Sequence, residues 1–450
     1  MTKKNKVIYI CKVCGYKSPT WLGKCPSCQS WNSFEIQNEL KEEKNLNKSV
    51  NIEALKTFSN VDSIKFQKIK TNIEEFDRVL GGGIVKGSLI LIAGEPGIGK
   101  STLLLQMCNA LAPVGKVLYV SGEESPEQIK LRAQRLNILN ENILILTETD
   151  LEEILNYIEF LKPTAVVIDS IQAINNSELY GITASISQIR DNAVSLLKIA
   201  KKTGIPIFII GHITKEGGIA GPKSLEHIVD VVLYMEGDNF HSFRILKSYK
   251  NRFGSTYEIG MFEMTEKGFI EVKNPSLYFL NETETENPGS AVGIIIEGTR
   301  PILIEIQSLV VPTSMPYPRR VSEGVDYNKL LLIIAVLEKH LNLKLSSYEI
   351  YIKVAGGMKV KEPAIDLAVA SAIISSYQNK TLNNSKVFIG EIGLTGEIRA
   401  VPYINLRVQE ALKCGFKEII LSYNNLNKIE KNLKEKIKTI KNISEIFNFL

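Results

Sequence analysis

One octapeptide restricts this chain more than any other feature. Residues 94–101 read GEPGIGKS, a match to G-x-x-x-x-G-K-[ST], and they join the apolar run SLILIA to the amphipathic run TLLLQMCNAL. Such a loop works when a strand delivers it and a helix begins at its end: glycines let backbone N–H groups curl round phosphates, and the helix N-terminus supplies further positive field. Gly94, Glu95, Pro96, Gly97, Ile98, Gly99, Lys100, Ser101 and Thr102 are therefore the predicted ATP-binding residues. Lys100 is expected to bridge the β- and γ-phosphates and Ser101 to offer its hydroxyl to Mg²⁺.

The loop fixes the reading of its surroundings. From about Asn60 to Lys273, short apolar runs alternate with helical patterns: SLILIAG, KVLYVSG, AVVIDS, PIFIIGH and DVVLYME. That rhythm predicts an α/β domain with a mainly parallel sheet flanked by helices. Asp169 ends the run AVVIDS, where it is expected to hold the magnesium shell together with Ser101. YVSGEES brings Glu123 and Glu124 to the end of another strand, just before a helix capped by Ser125 and started by Pro126. One of the two acids is expected to activate the attacking water; Glu123 is preferred, although acids here also favour a helix N-terminus.

Six cysteines occur, and four lie between Cys11 and Cys28. Cys11 and Cys14, then Cys25 and Cys28, form two C-x-x-C pairs separated by ten residues, a pattern that predicts a closed, structural zinc site rather than a disulfide framework. Lys12, Lys17 and Lys24 with Tyr16, Trp21 and Trp31 leave two readings open: phosphate pairing with base stacking, or aromatics packing a small ribbon. Cys108 and Cys414 read as small apolar residues on helices. The net charge is +5, and residues 1–50 alone hold 9 Lys against 4 Asp and Glu, so the basic bias is local and suits an acidic polymer such as nucleic acid. With 44% hydrophobic residues, no secretory leader and no run of about 18 apolar residues, the expectation is a cytoplasmic protein that does not enter a membrane.

Composition breaks divide the chain into a zinc finger at 1–36, a Lys/Glu/Asn-rich linker at 37–59, an ATPase domain at 60–280, a linker at 281–290 and a mixed α/β domain at 291–450. In that last domain, helices are expected at 328–339, 364–376 and 405–414.

Taken together, the four-cysteine finger, GEPGIGKST, YVSGEES, VVIDSIQ, GHITKEGGIAGPKSLEHIVDVVLYMEG, KNRFG at 250–254 and GEIGLTGEIRAV closely resemble the bacterial RadA (Sms) DNA recombination and repair family over nearly the whole chain. The resemblance implies a RecA-like ATPase core working as a ring, a homohexamer, on single-stranded and branched DNA, stimulated by DNA and driving branch migration. Recombinase or replication proteins are implied as possible partners. It also implies that Lys250 and Arg252 reach a neighbouring subunit's nucleotide or couple it to DNA, as a cation beside the γ-phosphate stabilises the charge spread over it. The glycine-rich segment with Lys215 and Lys223 suits a loop facing DNA, INNSELYGITAS is a second candidate loop, and His212 resembles a γ-phosphate sensor.

The region from Ala291 resembles the Lon protease domain, which raises a rival function. That chemistry needs a serine and an activating lysine. The resemblance puts Ala364 at the nucleophile's position and Asn405 at the lysine's, so no protease activity is expected. The domain is expected to scaffold the ring, and Lys353, Lys359 and Lys361 leave two readings open, simple solvation or an extension of the DNA surface. A nucleotide-switched scaffold or signalling ATPase of the same fold, without DNA translocation, is the other alternative.

Overall fold

The computed structural model describes residues 8–13, 16–18, 20–37, 68–176, 185–212, 225–237, 243–280, 287–383 and 385–449. They fall into two compact units, Met1–Lys65 and Phe66–Leu450. The linker expected at 37–59 lies outside the described residues except for Gln37.

The small unit is a three-stranded antiparallel sheet of β1 (Ile8–Cys11), β2 (Lys17–Ser18) and β3 (Phe34–Gln37), in the order β2-β1-β3. Its apolar cluster comprises Cys11, Cys25 and Phe34 with Tyr9, Leu22 and Cys28 against them. So small a core cannot hold a fold alone, and a metal is the usual remedy.

In the large unit, β4 (Lys68–Ile69) pairs with β5 (Ile84–Val85), with α1 (Glu74–Val79) between them. A nine-stranded sheet follows. Its strands are β6 (Leu89–Gly94), β7 (Val117–Ser121), β8 (Ile143–Leu146), β9 (Ala165–Asp169), β10 (Ile207–His212), β11 (Val231–Gly237), β12 (Phe243–Asn251), β13 (Ile259–Thr265) and β14 (Gly268–Glu271). They lie in the order β14-β13-β12-β11-β6-β10-β9-β7-β8. The pairs from β8 to β11 are parallel and those from β11 to β14 antiparallel. β6 and β7 are buried at every residue, as expected for strands covered on both faces.

The covering helices are α2 (Lys100–Leu111), α3 (Pro126–Arg135), α4 (Leu151–Leu161) and α5 (Ile186–Thr203). Their boundaries follow from local chemistry. Ser125 and Gln128 form a capping box at α3, Asp150 accepts Glu152 N and Glu153 N at α4, and Gly204 closes α5 at φ 75°. β8 and the antiparallel strands β12–β14 are additions that the strand reading from sequence did not include.

After the short helix α6 (Pro275–Phe279), the C-terminal part forms a seven-stranded mixed sheet. Its strands are β15 (Ser290–Glu297), β16 (Arg300–Pro312), β17 (Arg320–Glu323), β18 (Tyr348–Val354), β19 (Lys386–Ile389), β22 (Glu418–Ser422) and β23 (Ile437–Ile440), in the order β17-β18-β16-β15-β19-β22-β23. The hairpin of β20 (Glu391–Ile392) and β21 (Ile398–Arg399) stands apart from it. Helices α7 (Tyr327–Leu341), α8 (Asp366–Gln378) and α9 (Ile404–Lys413) match the three that the sequence predicts, within a few residues.

The two sheets are not insulated from each other. Phe243, Ile259, Met261 and Val272 belong to the same buried cluster as Ile295, Ile302, Ile304 and Leu367. Polar contacts reinforce the joint. Arg300 Nη1 lies 2.5 Å from Glu75 Oε2, Lys247 Nζ bridges Glu236 at 2.9 Å and Glu297 at 2.7 Å, and Ser276 Oγ donates to Glu410 at 2.7 Å. Glu75, only 2% exposed at its side chain, also accepts Met261 N. Removing Arg300 leaves that carboxylate buried beside a weaker partner, so Arg300→Ala is expected to cost about 3 kcal/mol. Denaturant or thermal unfolding of the full chain checks this; an unchanged midpoint refutes it.

Candidate active site

The nucleotide loop occupies the end of the central strand. β6 emerges between β10 and β11, with His212 paired to Gly94 on one side and Met235 on the other. Gly97 and Gly99 have φ of 78° and 111°. At Gly99 a Cβ would come within 2.6 Å of the Phe269 ring and 2.7 Å of Met264 Cε, so both conformation and crowding require glycine. Ile98, 2% exposed, anchors the loop in the core, while Glu95, Pro96 and Gly97 form its exposed crest. α2 starts directly at Lys100 and has no side-chain cap, which leaves its N-terminal amides to the loop's hollow.

That hollow opens into a cavity of about 340 Å³ lined by Gly97, Gly99, Lys100, Ser101, Thr102, Ser121, Glu123, Glu124, Arg132, Arg135, Asp169 and Met264. Lys100 is folded back, donating to Gly94 O at 2.8 Å and Glu95 O at 2.9 Å. Burial lowers its ammonium to about 8, against the opposing pull of Asp169 and Glu123. The donor set fits a polyphosphate with its magnesium: a glycine loop, one lysine, the Ser101 hydroxyl and a carboxylate facing it.

Asp169 and Glu123 come from neighbouring strands. β7 and β9 run parallel with Ser121 opposite Asp169, so the acid ending β9 and the turn after β7 meet above the sheet. Asp169 accepts a 2.6 Å hydrogen bond from the Tyr119 hydroxyl. Burial, and secondly the Asp169 carboxylate, hold that phenol well above its ordinary pKa. Glu123 accepts a hydrogen bond from Ser170 Oγ, which follows Asp169. Glu124 is committed elsewhere: its carboxylate pairs with Arg132 of α3, and its backbone N–H donates to Ser121 Oγ at 3.0 Å. The two adjacent acids are thus distinguished by geometry.

KNRFG lies elsewhere. Asn251 and Lys250 pair with Val231 and Val232, and Val231 pairs with Ile90, so the motif is at the start of β6 rather than at the loop end. The strand's six residues separate the two by about 17 Å. Lys250 is turned inward, donating to Val229 O at 2.8 Å and to Glu226 O; burial, then Arg252, lowers its pKa. Arg252 keeps its side chain half-exposed, 3.7 Å from Asp230 Oδ1. Asp230 is itself buried, accepting Leu89 N at 3.1 Å and Lys201 Nζ at 2.8 Å. Neither Lys250 nor Arg252 enters the cavity of its own chain, and of the two only Arg252 is presented outward.

In the small unit, the sulfurs of Cys11, Cys25 and Cys28 lie within 4.8 Å of one another, and Cys11 Sγ is 3.6 Å from Cys28 Sγ. Zinc–sulfur bonds of about 2.3 Å at tetrahedral angles require edges of about 3.8 Å, so three corners fit; Cys14, the expected fourth ligand, lies outside the described residues. Trp21 and Trp31 are exposed, and Lys24 Nζ stands 5.4 Å from the Trp31 ring. Phe34, not these tryptophans, fills the unit's interior.

Three family models match: the AAA domain at residues 55–218, the rubredoxin metal binding domain at 9–35 and subunit ChlI of Mg-chelatase at 333–425. A DNA repair protein RadA of Streptococcus pyogenes serotype M6 is 51% identical over 95% of both chains. The chain belongs to the RadA family of DNA repair proteins. The RadA of Bacillus subtilis strain 168 is 50% identical over 94% of each chain, and that of Listeria monocytogenes serovar 1/2a is 49% identical over 94% of this chain and 93% of its own. A solved KaiC-like protein of Pyrococcus horikoshii OT3 is 21% identical and covers 46% of this chain and 99% of its own with TM-score 0.38, too low to add to the assignment. RadA membership accounts for the three-part architecture of zinc ribbon, ATPase core and ChlI/Lon-like C-terminal domain.

In this RadA-family chain, Asn405 lies in the first turn of α9. The buried positions of α9 are Ile404, Arg407, Val408 and Ala411; Asn405 is half-buried beside them, donating to Lys428 O and accepting Glu430 N. Arg407 reaches inward instead, donating to Ile294 O at 2.6 Å and pairing with Glu362, two residues before the buried Ala364.

Arg132, Arg135 and Met264 of the cavity, Tyr119 in the core beneath it, and the Asp230 hub are not singled out by the sequence. Tyr119 looked like another apolar strand residue, and the others are joined to the loop only by the fold. Lys215, Lys223 and the side chain of His212 lie outside the described residues, as does most of INNSELYGITAS. Among the described residues, no helix is long and apolar enough to cross a membrane.

A bound phosphate favours the charged form of Lys100, so its pKa must rise on binding. Nucleotide affinity is therefore expected to be nearly flat below pH 8 and to fall about tenfold per pH unit above it. Titration with a fluorescent ADP in magnesium-free buffer between pH 7 and 9.5 checks the slope. Cys25→Ser is expected to release the metal from the small unit, measured as zinc content; full retention refutes the ligand assignment.

Proposed function

We propose that this RadA-family chain is a DNA-stimulated ATPase of repair and homologous recombination that binds single-stranded DNA and drives branch migration, as a homohexameric ring in the cytoplasm. The observation that supports it most is the division of labour along β6. A phosphate loop with two acids stands at one end, and an outward arginine with no nucleotide of its own at the other.

In this reading, Lys100 exchanges its two loop carbonyls for the β- and γ-phosphates, and Ser101 and Asp169 hold Mg²⁺ with its water shell. Magnesium supplies charge neutralisation across the phosphates when bound. Glu123, oriented by Ser170, takes the proton from the attacking water, while Glu124 stays paired with Arg132 and shapes the turn. Arg252, steadied by Asp230, offers its guanidinium to the terminal phosphate held by the adjoining subunit, so hydrolysis depends on assembly. Lys250 ties down the Leu225–Val229 turn from beneath. The zinc ribbon, with exposed Trp21 and Trp31 beside Lys24, suits stacking on unpaired bases. The C-terminal domain, where Ala364 offers no nucleophilic oxygen, serves as scaffold rather than protease.

ATP turnover with and without single-stranded DNA tests the reading, with stimulation expected; a nucleotide-switched scaffold predicts equal rates, and that result overturns it. Glu123→Gln should retain nucleotide binding while turnover falls about 100-fold or more. Arg252→Ala should bind nucleotide normally and lose about 1000-fold in DNA-stimulated turnover. Mixed with wild-type chains, it should lower the rate beyond its share of subunits if it acts across the boundary.

A further inference from the structure

The Tyr119 hydroxyl is the one side-chain oxygen from the buried face of β7 that reaches the acid at the end of β9. Tyr119 is 1% exposed and packs among residues of the core beneath α2, including Cys108 and Ile129. Nothing about core packing needs a phenol there, since phenylalanine fills nearly the same volume. Its hydroxyl instead donates to Asp169 Oδ2 at 2.6 Å, across a parallel pairing that sets Tyr119 opposite Val167 and Ser121 opposite Asp169. Tyrosine and aspartate therefore lie on one face, two residues apart along the neighbouring strand. With Oδ2 taken from below, Asp169 meets the cavity it lines with a fixed carboxylate plane and its other oxygen.

We propose that Tyr119 is a positioning residue for magnesium: it holds Asp169 in the one orientation that receives the hydrated metal of a bound nucleoside triphosphate. The inference rests on the nucleotide-binding reading above and deepens it. A carboxylate on a short side chain turns about its last torsion over a broad range. A hydrogen bond to one oxygen removes that freedom before the metal arrives, which is the work done by outer partners of metal ligands generally. Tyr119 touches neither nucleotide nor metal. Its effect must appear in how strongly metal enhances binding, not in binding itself.

The test is Tyr119→Phe in the full chain, reading affinity for a fluorescent ADP against Mg²⁺ concentration. Without metal the variant should bind as the wild type does; with metal, the enhancement should fall about tenfold, and half-maximal ATP turnover should need correspondingly more Mg²⁺. In an Asp169→Ala background the same substitution should have no effect on the metal response. A metal response unchanged from wild type overturns the proposal. So does equal weakening with and without metal, the mark of a merely structural role, and so does a full effect surviving in Asp169→Ala. Failure of the underlying reading looks different: the wild-type chain itself would show no nucleotide binding, or none that Lys100→Ala abolishes.

Discussion

The pairing of β6 between β10 and β11 carries the rest of the large unit. Every residue of β6 is buried, and both of its edges are hydrogen-bonded in parallel. A strand held this way cannot slide without breaking two ladders and turning its side chains to the wrong faces. At one end it presents the glycine loop at a fixed height above α2. At the other, Leu89 N is bound by Asp230, which also holds Lys201 and stands beside Arg252. The two chemically distinct ends are thus parts of one rigid element.

How much of this was written legibly in the chain depends on how local the determinants are. The loop at 94–102 and the acid at 169 are legible because each occupies a strand end whose apolar run is unmistakable. The cysteine pairs are legible because ligand spacing is itself the signal. Between Glu123 and Glu124 the local sequence decides little, because the contact that separates them is non-local: Arg132, eight residues on, returns on the next helix to pair with Glu124. Arg407 was missed because a helix starting at Ile404 decides which side chains turn inward, and residue matching alone does not carry that phase. Tyr119 was missed because it hides in an apolar strand and its partner is 50 residues away.

The joint between the two sheets has the same non-local character. A composition break at 281–290 suggests independent bodies, yet Glu75 of α1 receives Arg300 from β16, and apolar residues of β12 and β13 continue into the C-terminal core. α1 leads into the glycines 81–83, and a Cβ at Gly81 would come within 3.2 Å of Gly254 in the KNRFG turn. The C-terminal domain is therefore in continuous contact, through α1, with the segment that bears Arg252. A buried ion pair contributes little net stability against an apolar substitute, but removing one partner leaves an uncompensated buried charge.

The resting posture of Lys100 sets an entry threshold. Its ammonium already has two carbonyl acceptors, so an incoming anion gains only what exceeds those bonds. A lone sulfate or phosphate offers a single cluster of oxygens and must also forgo its own hydration. A polyphosphate can meet the loop amides and the start of α2 at once, which offsets that loss. The cradle's geometry thus favours a chain of phosphates over a single anion before any base is recognised.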